Sequence, residues 1–512
     1  MAETTPDTAS PTSPATPATS ATEPGAARPA EPVDDLVSTE HELKTGRRTL
    51  RYTATTGRVV LREEAVEDGV FVGHRATAEV SMTSYVLDQG GVSEEERVRR
   101  PVTFAFNGGP GSSSVWLHLG LLGPRRVLMG DAGDLLPPPY GLADNAETLL
   151  AESDLVFIDP VSTGYSRAVE GRKAAPFHGY EGDIDSVAEL IRLWTTRHRR
   201  WLSPKLLAGE SYGTLRAAAL AERLQSRHSL YVNGLVLISS VLDLGSIDFE
   251  NQRNDRAHAL YLPTYAAIAA YHGRLGRTSV RKAVAAAEAY VDDYRTVLAR
   301  GNRLSAKERA AAVKRLASLT GLTEEYVDRA DLRIEHWRFF GELLRDRGLT
   351  VGRIDGRFTG PAASGIAEHM DADPSMDALF GPYAAGLNHY LRVELGYEND
   401  LAYEQISRAV HPWSFKEFEG RPIDVTPLLE RAMRANPHLK VHVAYGYLDG
   451  ATPHHAAEDV LAHLRIPEKR RADIEHVYYE AGHMMYVHEP TRVQQSKDVA
   501  AFVRRACGTG RR

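Results

Sequence analysis

The chain has 512 residues, 43% of them hydrophobic, with 61 Lys+Arg against 68 Asp+Glu and a formal net charge of -7. It is long enough for a large core carrying insertions, and its slightly acidic balance gives no electrostatic reason to expect nucleic acid or an anionic membrane as a partner. A single cysteine, Cys507, excludes an intrachain disulfide framework and any multi-cysteine zinc site.

Residues 1–32 are dominated by Thr, Ser, Ala and Pro and have almost no large apolar side chain to bury. Such a segment cannot offset its ordering entropy, so a disordered tail is expected over 1–40. There is no basic start leading into an apolar stretch, and no apolar run of about 18 residues. Neither a secretory signal nor a spanning helix is therefore expected, and cytoplasmic residence is the default reading. From residue 48 the texture is β-like: 48–63 and 70–88 are rich in β-branched and aromatic residues. VTFAF (102–106) runs straight into NGGPGSSS, and LVFID (155–159), KLLAG (205–209) and GLVLISS (234–240) follow. These short apolar strands alternate with helical stretches, which indicates βαβ units and a mostly parallel sheet. Between about 245 and 405 the pattern turns helical and Ala-rich, with no comparable strand series. Strand character returns at 439–449 and 474–482. The expectation is an α/β fold: a core in two parts, 41–244 and 406–512, separated by a helical cap insertion at 245–405. RHRR (197–200) and EKRR (468–471) read as solvated helix or loop faces.

Gly209-Glu210-Ser211-Tyr212-Gly213 matches G-x-S-x-G. It follows an apolar strand and opens an Ala-rich helix, the strand–turn–helix setting of a nucleophile elbow. A serine hydroxyl is a weak nucleophile near neutral pH and needs a base, which in turn needs an orienting carboxylate. In folds built on this elbow the acid and then the histidine follow the serine in the chain. Asp449, after the strand VHVAYGYL, and His483, after VYYEAG, fit that order. His454, His455 and His488 are rivals for the base. The first two read as surface or helix-cap neighbours, and the third as structural. Asn107-Gly108-Gly109-Pro110-Gly111 also follows a strand, and such a loop can aim a backbone N–H at a developing oxyanion, with the Tyr212 N–H as second donor. It lacks the G-K-[ST] ending of a phosphate loop. No metal and no cofactor are implied, since the serine mechanism needs none and a single cysteine leaves no Cys pair of ligand spacing.

NGGPGSSS (107–114), DPVSTGYS (159–166), GESYGT (209–214), YLDGATP (447–453) and GHMMY (482–486) together resemble the serine carboxypeptidase family over roughly residues 102–490. The resemblance implies an α/β-hydrolase core with a central mostly parallel sheet and an inserted helical cap. It implies Ser211 as nucleophile, His483 as general acid/base, Asp449 as its orienting acid, and Gly109 and Tyr212 as oxyanion-hole amides. It also implies Asn107 and Glu210 as holders of the terminal carboxylate of a peptide substrate, with best peptidase activity at acidic pH. The chain departs from the family pattern at Ala105, Ser112, Leu121 and Ser162. Leu121 stands where a second acidic residue of the carboxylate-binding network is common. An esterase or acyltransferase using the same three residues is the alternative, and a catalytically inactive binding protein is a third reading.

Overall fold

Strand propensity and sheet position agree along most of this computed structural model, which describes residues 31–46, 48–251 and 253–508. Three long antiparallel strands come first: β1 (Asp35–Thr45), β2 (Arg48–Glu67) and β3 (Val70–Leu87). They lead into β4 (Val102–Phe106), β5 (Asp154–Ile158), β6 (Lys205–Glu210), β7 (Gly234–Ile238), β8 (Lys440–Gly446) and β9 (Ile474–Tyr479). The sheet order is β1-β2-β3-β5-β4-β6-β7-β8-β9. Pairing is antiparallel through β3–β5 and parallel from β5–β4 to β8–β9.

The parallel half fixes where chemistry can occur. Strands that run the same way end on the same edge, so the loops after β4, β6, β8 and β9 emerge together. Those loops carry the 107–114, 209–213, 449 and 483 motifs.

The central parallel strands β4, β6 and β7 are buried on both faces, as crossover helices require. Alternate side chains serve opposite layers. Phe104, Phe106, Leu207, Leu235, Leu237, Val441 and Val443 face one apolar cluster. Ala105, Leu206, Ala208, Val236, Ile238 and Ala444 face the other.

One expected boundary shifts, and the insertion is not wholly helical. Asp35–Glu40 belong to β1, whereas the 1–40 tail took them in; residues 1–30 lie outside the described residues. The 245–405 insertion is mainly helical, from Asp255–Leu260 to Pro374–His389, but it also holds a short hairpin, Leu349–Val351 with Thr359–Pro361. By its contacts the chain from Val33 onward is one compact unit, so the inserted helices are not a separate body. The two basic runs are not purely solvated. Arg200 is buried against Asp154, and buried Arg470 donates to the carbonyls of Asn436, Pro437 and Leu439. Among the described residues no helix is long and apolar enough to cross a membrane.

Candidate active site

Ser211 sits between β6 and the helix Tyr212–His228, with φ 60° and ψ -131°. A non-glycine residue at positive φ is strained, and the surrounding glycines allow it. A Cβ on Gly209 would lie 2.1 Å from the Gly213 carbonyl oxygen, so neither chain direction has room for a side chain there. The Ser211 N–H donates to the Ile238 carbonyl at 3.0 Å, which anchors the turn to the end of β7.

The next residue, Ser239, links this turn to the other two loops. Its hydroxyl donates to the His483 carbonyl at 2.6 Å, and its carbonyl accepts from the Thr452 hydroxyl at 3.0 Å. His483 Nδ1 lies 2.8 Å from Asp449 Oδ2. Both side chains are buried. Asp449 Oδ1 accepts from the N–H groups of Ala451 and Thr452 at 2.8 and 2.9 Å, and Oδ2 also accepts from the Thr452 hydroxyl at 2.8 Å. Burial alone would lower the His483 pKa, but the Asp449 carboxylate, with help from Glu210, outweighs it and raises the value. This arrangement stabilises an imidazolium, as a general base must once it has taken a proton.

The loop after β4 packs onto the elbow. A Cβ on Gly108 would lie 2.5 Å from the Tyr212 nitrogen, so only glycine permits this approach. Among the described residues neither the Gly109 nor the Tyr212 N–H is taken by another group, which leaves both free to serve an incoming oxygen. Buried Asn107 donates through Nδ2 to Glu210 Oε1 at 2.8 Å, and its Oδ1 accepts from the Leu117 N–H at 3.1 Å. Burial pushes the Glu210 carboxyl up to about 7, against the opposing effects of His483, Tyr486 and Asn107. Glu210 Oε2 and the Tyr486 hydroxyl are both buried, without a hydrogen-bond partner of good geometry among the described residues.

Residues 91–335 match the serine carboxypeptidase family. The matched span holds the NGGPG loop and the elbow, and the resemblance read from the motifs is borne out there. Asp449 and His483 lie beyond it. Among solved structures, the chain is similar to a prohormone-processing carboxypeptidase from Saccharomyces cerevisiae, at 14% identity over 88% of this chain and 91% of that one, with a TM-score of 0.52. A thermophilic esterase from Thermogutta terrifontis is also similar, at 14% identity over 88% of this chain and 98% of that one, with a TM-score of 0.36. No curated protein matches significantly. The fold is that of an α/β-hydrolase with a mostly parallel central sheet.

Against the family pattern, Ser162 replaces a usual glycine yet adopts φ 73°, the left-handed region that favours glycine. Its hydroxyl meets His178 Nε2 at 2.8 Å, which offsets part of the strain. Leu121 is buried and apolar, and Tyr486 and Tyr383 crowd Gly120 beside it. Of the rival histidines, His454 is buried rather than on the surface, and His488 Nδ1 bonds Thr491 Oγ1 at 2.8 Å at the start of the last helix.

Several supporting residues were not identified from sequence. The Arg353–Gly356 stretch of the insertion backs both late loops: His483 N–H donates to the Ile354 carbonyl at 2.7 Å, and Gly450 N–H to the Arg353 carbonyl at 2.9 Å. Asp159 accepts from the N–H and hydroxyl of Ser114, both at 2.8 Å, which fixes the far end of the NGGPGSSS loop and gives the DPVSTGYS motif its purpose. Arg216 is wholly buried, donates to Asp183 Oδ2 at 2.8 Å and to the Asn107 carbonyl, and lies over the rings of Phe106 and Tyr212. Arg216→Met would strand the Asp183 carboxylate, whose pKa burial already raises. The expected cost is about 3–5 kcal/mol in urea unfolding at pH 7.5. It should be smaller at pH 5, where Asp183 can take up a proton. An equal loss at both pH values would contradict this role.

Proposed function

We propose that the chain is a serine carboxypeptidase that releases C-terminal amino acids through an acyl-enzyme on Ser211. In this reading the Ser211 hydroxyl attacks the last peptide carbonyl while His483 takes its proton. The oxyanion is held by the N–H groups of Gly109 and Tyr212. His483 then gives the proton to the leaving amine, and water deacylates the enzyme by the reverse route. Asp449 orients the imidazole.

The observation that carries the choice of an exopeptidase is the buried Asn107–Glu210 pair next to the nucleophile. A carboxylate substrate can approach a buried carboxyl favourably only if the two share a proton. With Glu210 pushed up to about 7, that proton is present in acid and lost above neutrality. His483, whose pKa is raised above the ordinary imidazole value, must be neutral to act as base, so activity falls as pH drops through that titration, already in mild acid. The two groups feel each other, so the limbs belong to the pair. The expected profile of kcat/KM is a narrow bell close to neutrality, less acidic than the resemblance implies.

The direct test compares an N-blocked dipeptide with its C-terminal amide at pH 5.5. The free acid should be cleaved roughly 10- to 100-fold better, the worth of a charge-assisted hydrogen bond. Equal cleavage would mean that Asn107 and Glu210 do not read a carboxylate. That outcome favours the alternative, an esterase or acyltransferase on the same residues, for which buried Leu121 in place of a second acid is the supporting observation.

Glu210→Gln gives a separate check. Glutamine donates a hydrogen bond at every pH, so the alkaline limb for free-acid peptides should move upward. Stability should respond as well. Glu210 binds its proton more tightly folded than unfolded, so its contribution is full below about 4.5 and is lost as pH rises through about 7. The variant should therefore be more stable than the parent at pH 8, by up to about 3 kcal/mol, with no difference below pH 4. Thermal melts across pH read this out, and a constant offset would contradict it.

A further inference from the structure

Outside the candidate active site, one cluster has the donor chemistry of a metal centre. Glu288 ends the helix Val280–Glu288 of the insertion, and His454, His455 and Glu458 lie on the helix His454–Ala462, just after the Asp449 loop. One donor atom from each of the four falls within 4.8 Å of every other. His454 Nε2 is 3.1 Å from Glu288 Oε1, and His455 Nδ1 is 3.1 Å from Glu458 Oε2. Tetrahedral zinc, with metal–ligand bonds of about 2.0–2.1 Å, places its ligands about 3.3 Å apart, so a small contraction of the cluster would suffice.

Charge separates this cluster from an ordinary ion-pair network. Next to Glu458 on the same helix, Asp459 is held by Arg256 and Arg295 at 2.9 and 2.8 Å, so fixed cations already pair with that carboxylate. Among the described residues no Arg or Lys pairs with Glu288 or Glu458; their charged partners are the two histidines. Tyr478 takes Glu458 Oε1 and so aims Oε2 at the cluster, as an outer-shell partner does. Independently, His454 is fully buried, and while its Nε2 faces Glu288, its Nδ1 has no hydrogen-bond partner among the described residues, leaving a ring nitrogen unsatisfied in the interior. Two imidazoles and two carboxylates suit a borderline divalent ion and neutralise it.

We propose that Glu288, His454, His455 and Glu458 bind one divalent transition-metal ion, with Zn2+ as the probe, tying the inserted helices to the core behind the Asp449 loop. The reading is independent of the peptidase assignment, since none of the four belongs to the proposed catalytic set.

The test uses the full chain, stripped with a chelator and exchanged into chelator-free buffer. Zn2+ is added and bound metal is counted by mass spectrometry after gel filtration, with thermal melts in parallel. The expected result is one ion per chain and a melting temperature that rises with added Zn2+ and falls with chelator. Glu288→Gln, at a partly exposed side chain, and Glu458→Gln should each weaken binding by about 100-fold while their metal-free melts stay near the parent's. Tetrahedral visible bands on Co2+ substitution should appear in the parent and be lost in both variants. No stoichiometric metal in the parent, or equal binding by the Glu288→Gln/Glu458→Gln double variant, would overturn the proposal and leave the four as two ion pairs.

Discussion

Replacing Ser211 with alanine is expected to lower kcat on a C-terminally free peptide by roughly 10^4- to 10^6-fold, with the fold intact. The expectation rests on how little else the change removes. The strained backbone at Ser211 is set by its anchor on Ile238 and by the glycines on either side, not by the hydroxyl. Among the described residues the Ser211 hydroxyl makes no hydrogen bond that alanine would break, so melting curves of the two proteins should coincide. On the proposed reading, what is lost is the nucleophile itself. The remaining rate would come from binding and from the free N–H groups of Gly109 and Tyr212. A loss smaller than about tenfold would place the chemistry on another residue.

Asp449→Asn should cost about 10^4-fold in kcat by a different route. Asp449 Oδ1 is fixed as an acceptor by two backbone donors, the N–H groups of Ala451 and Thr452. An asparagine would keep its carbonyl oxygen there, which turns its NH2 group toward His483 Nδ1 and the Thr452 hydroxyl. His483 Nδ1 would then have to accept a hydrogen bond, so the imidazole proton moves to Nε2. In that tautomer the ring offers no lone pair to a serine proton. The variant also removes a buried charge, so its stability should not fall in proportion to its activity. Kinetics on the free-acid dipeptide together with a urea titration separate the two effects. An active Asp449→Asn would mean that His483 takes its orientation elsewhere.

Much of this site was legible because its determinants are local. β4, β6, β7, β8 and β9 are short apolar runs, each ending in a glycine- or turn-rich loop, so both the strands and the edge bearing the loops follow from pattern. The elbow and the order of serine, acid and histidine are likewise encoded in short stretches. What was missed depends on chain-distant contacts. Arg216 reads as one polar residue in an Ala-rich helix, yet it holds the carbonyl of Asn107, more than a hundred positions earlier. The Arg353–Gly356 stretch has no motif, and its backbone role appears only when the insertion folds back onto Leu448 and His483. β1 escaped notice because most of its positions alternate between exposed and half-covered, with Leu43 alone fully buried. Three members of the metal-type cluster lie within five residues on one helix, but the fourth could not be found from spacing, since Glu288 and His454 are 166 residues apart.

The account stands on Ser211 being activated by His483 and Asp449, and covalent capture tests that most directly. A fluorophosphonate probe should form one adduct per chain, located by mass spectrometry in the Leu206–Arg216 tryptic peptide, absent in Ser211→Ala and strongly slowed in Asp449→Asn. An unlabelled wild-type protein, or an adduct on another serine that persists in Ser211→Ala, would contradict it.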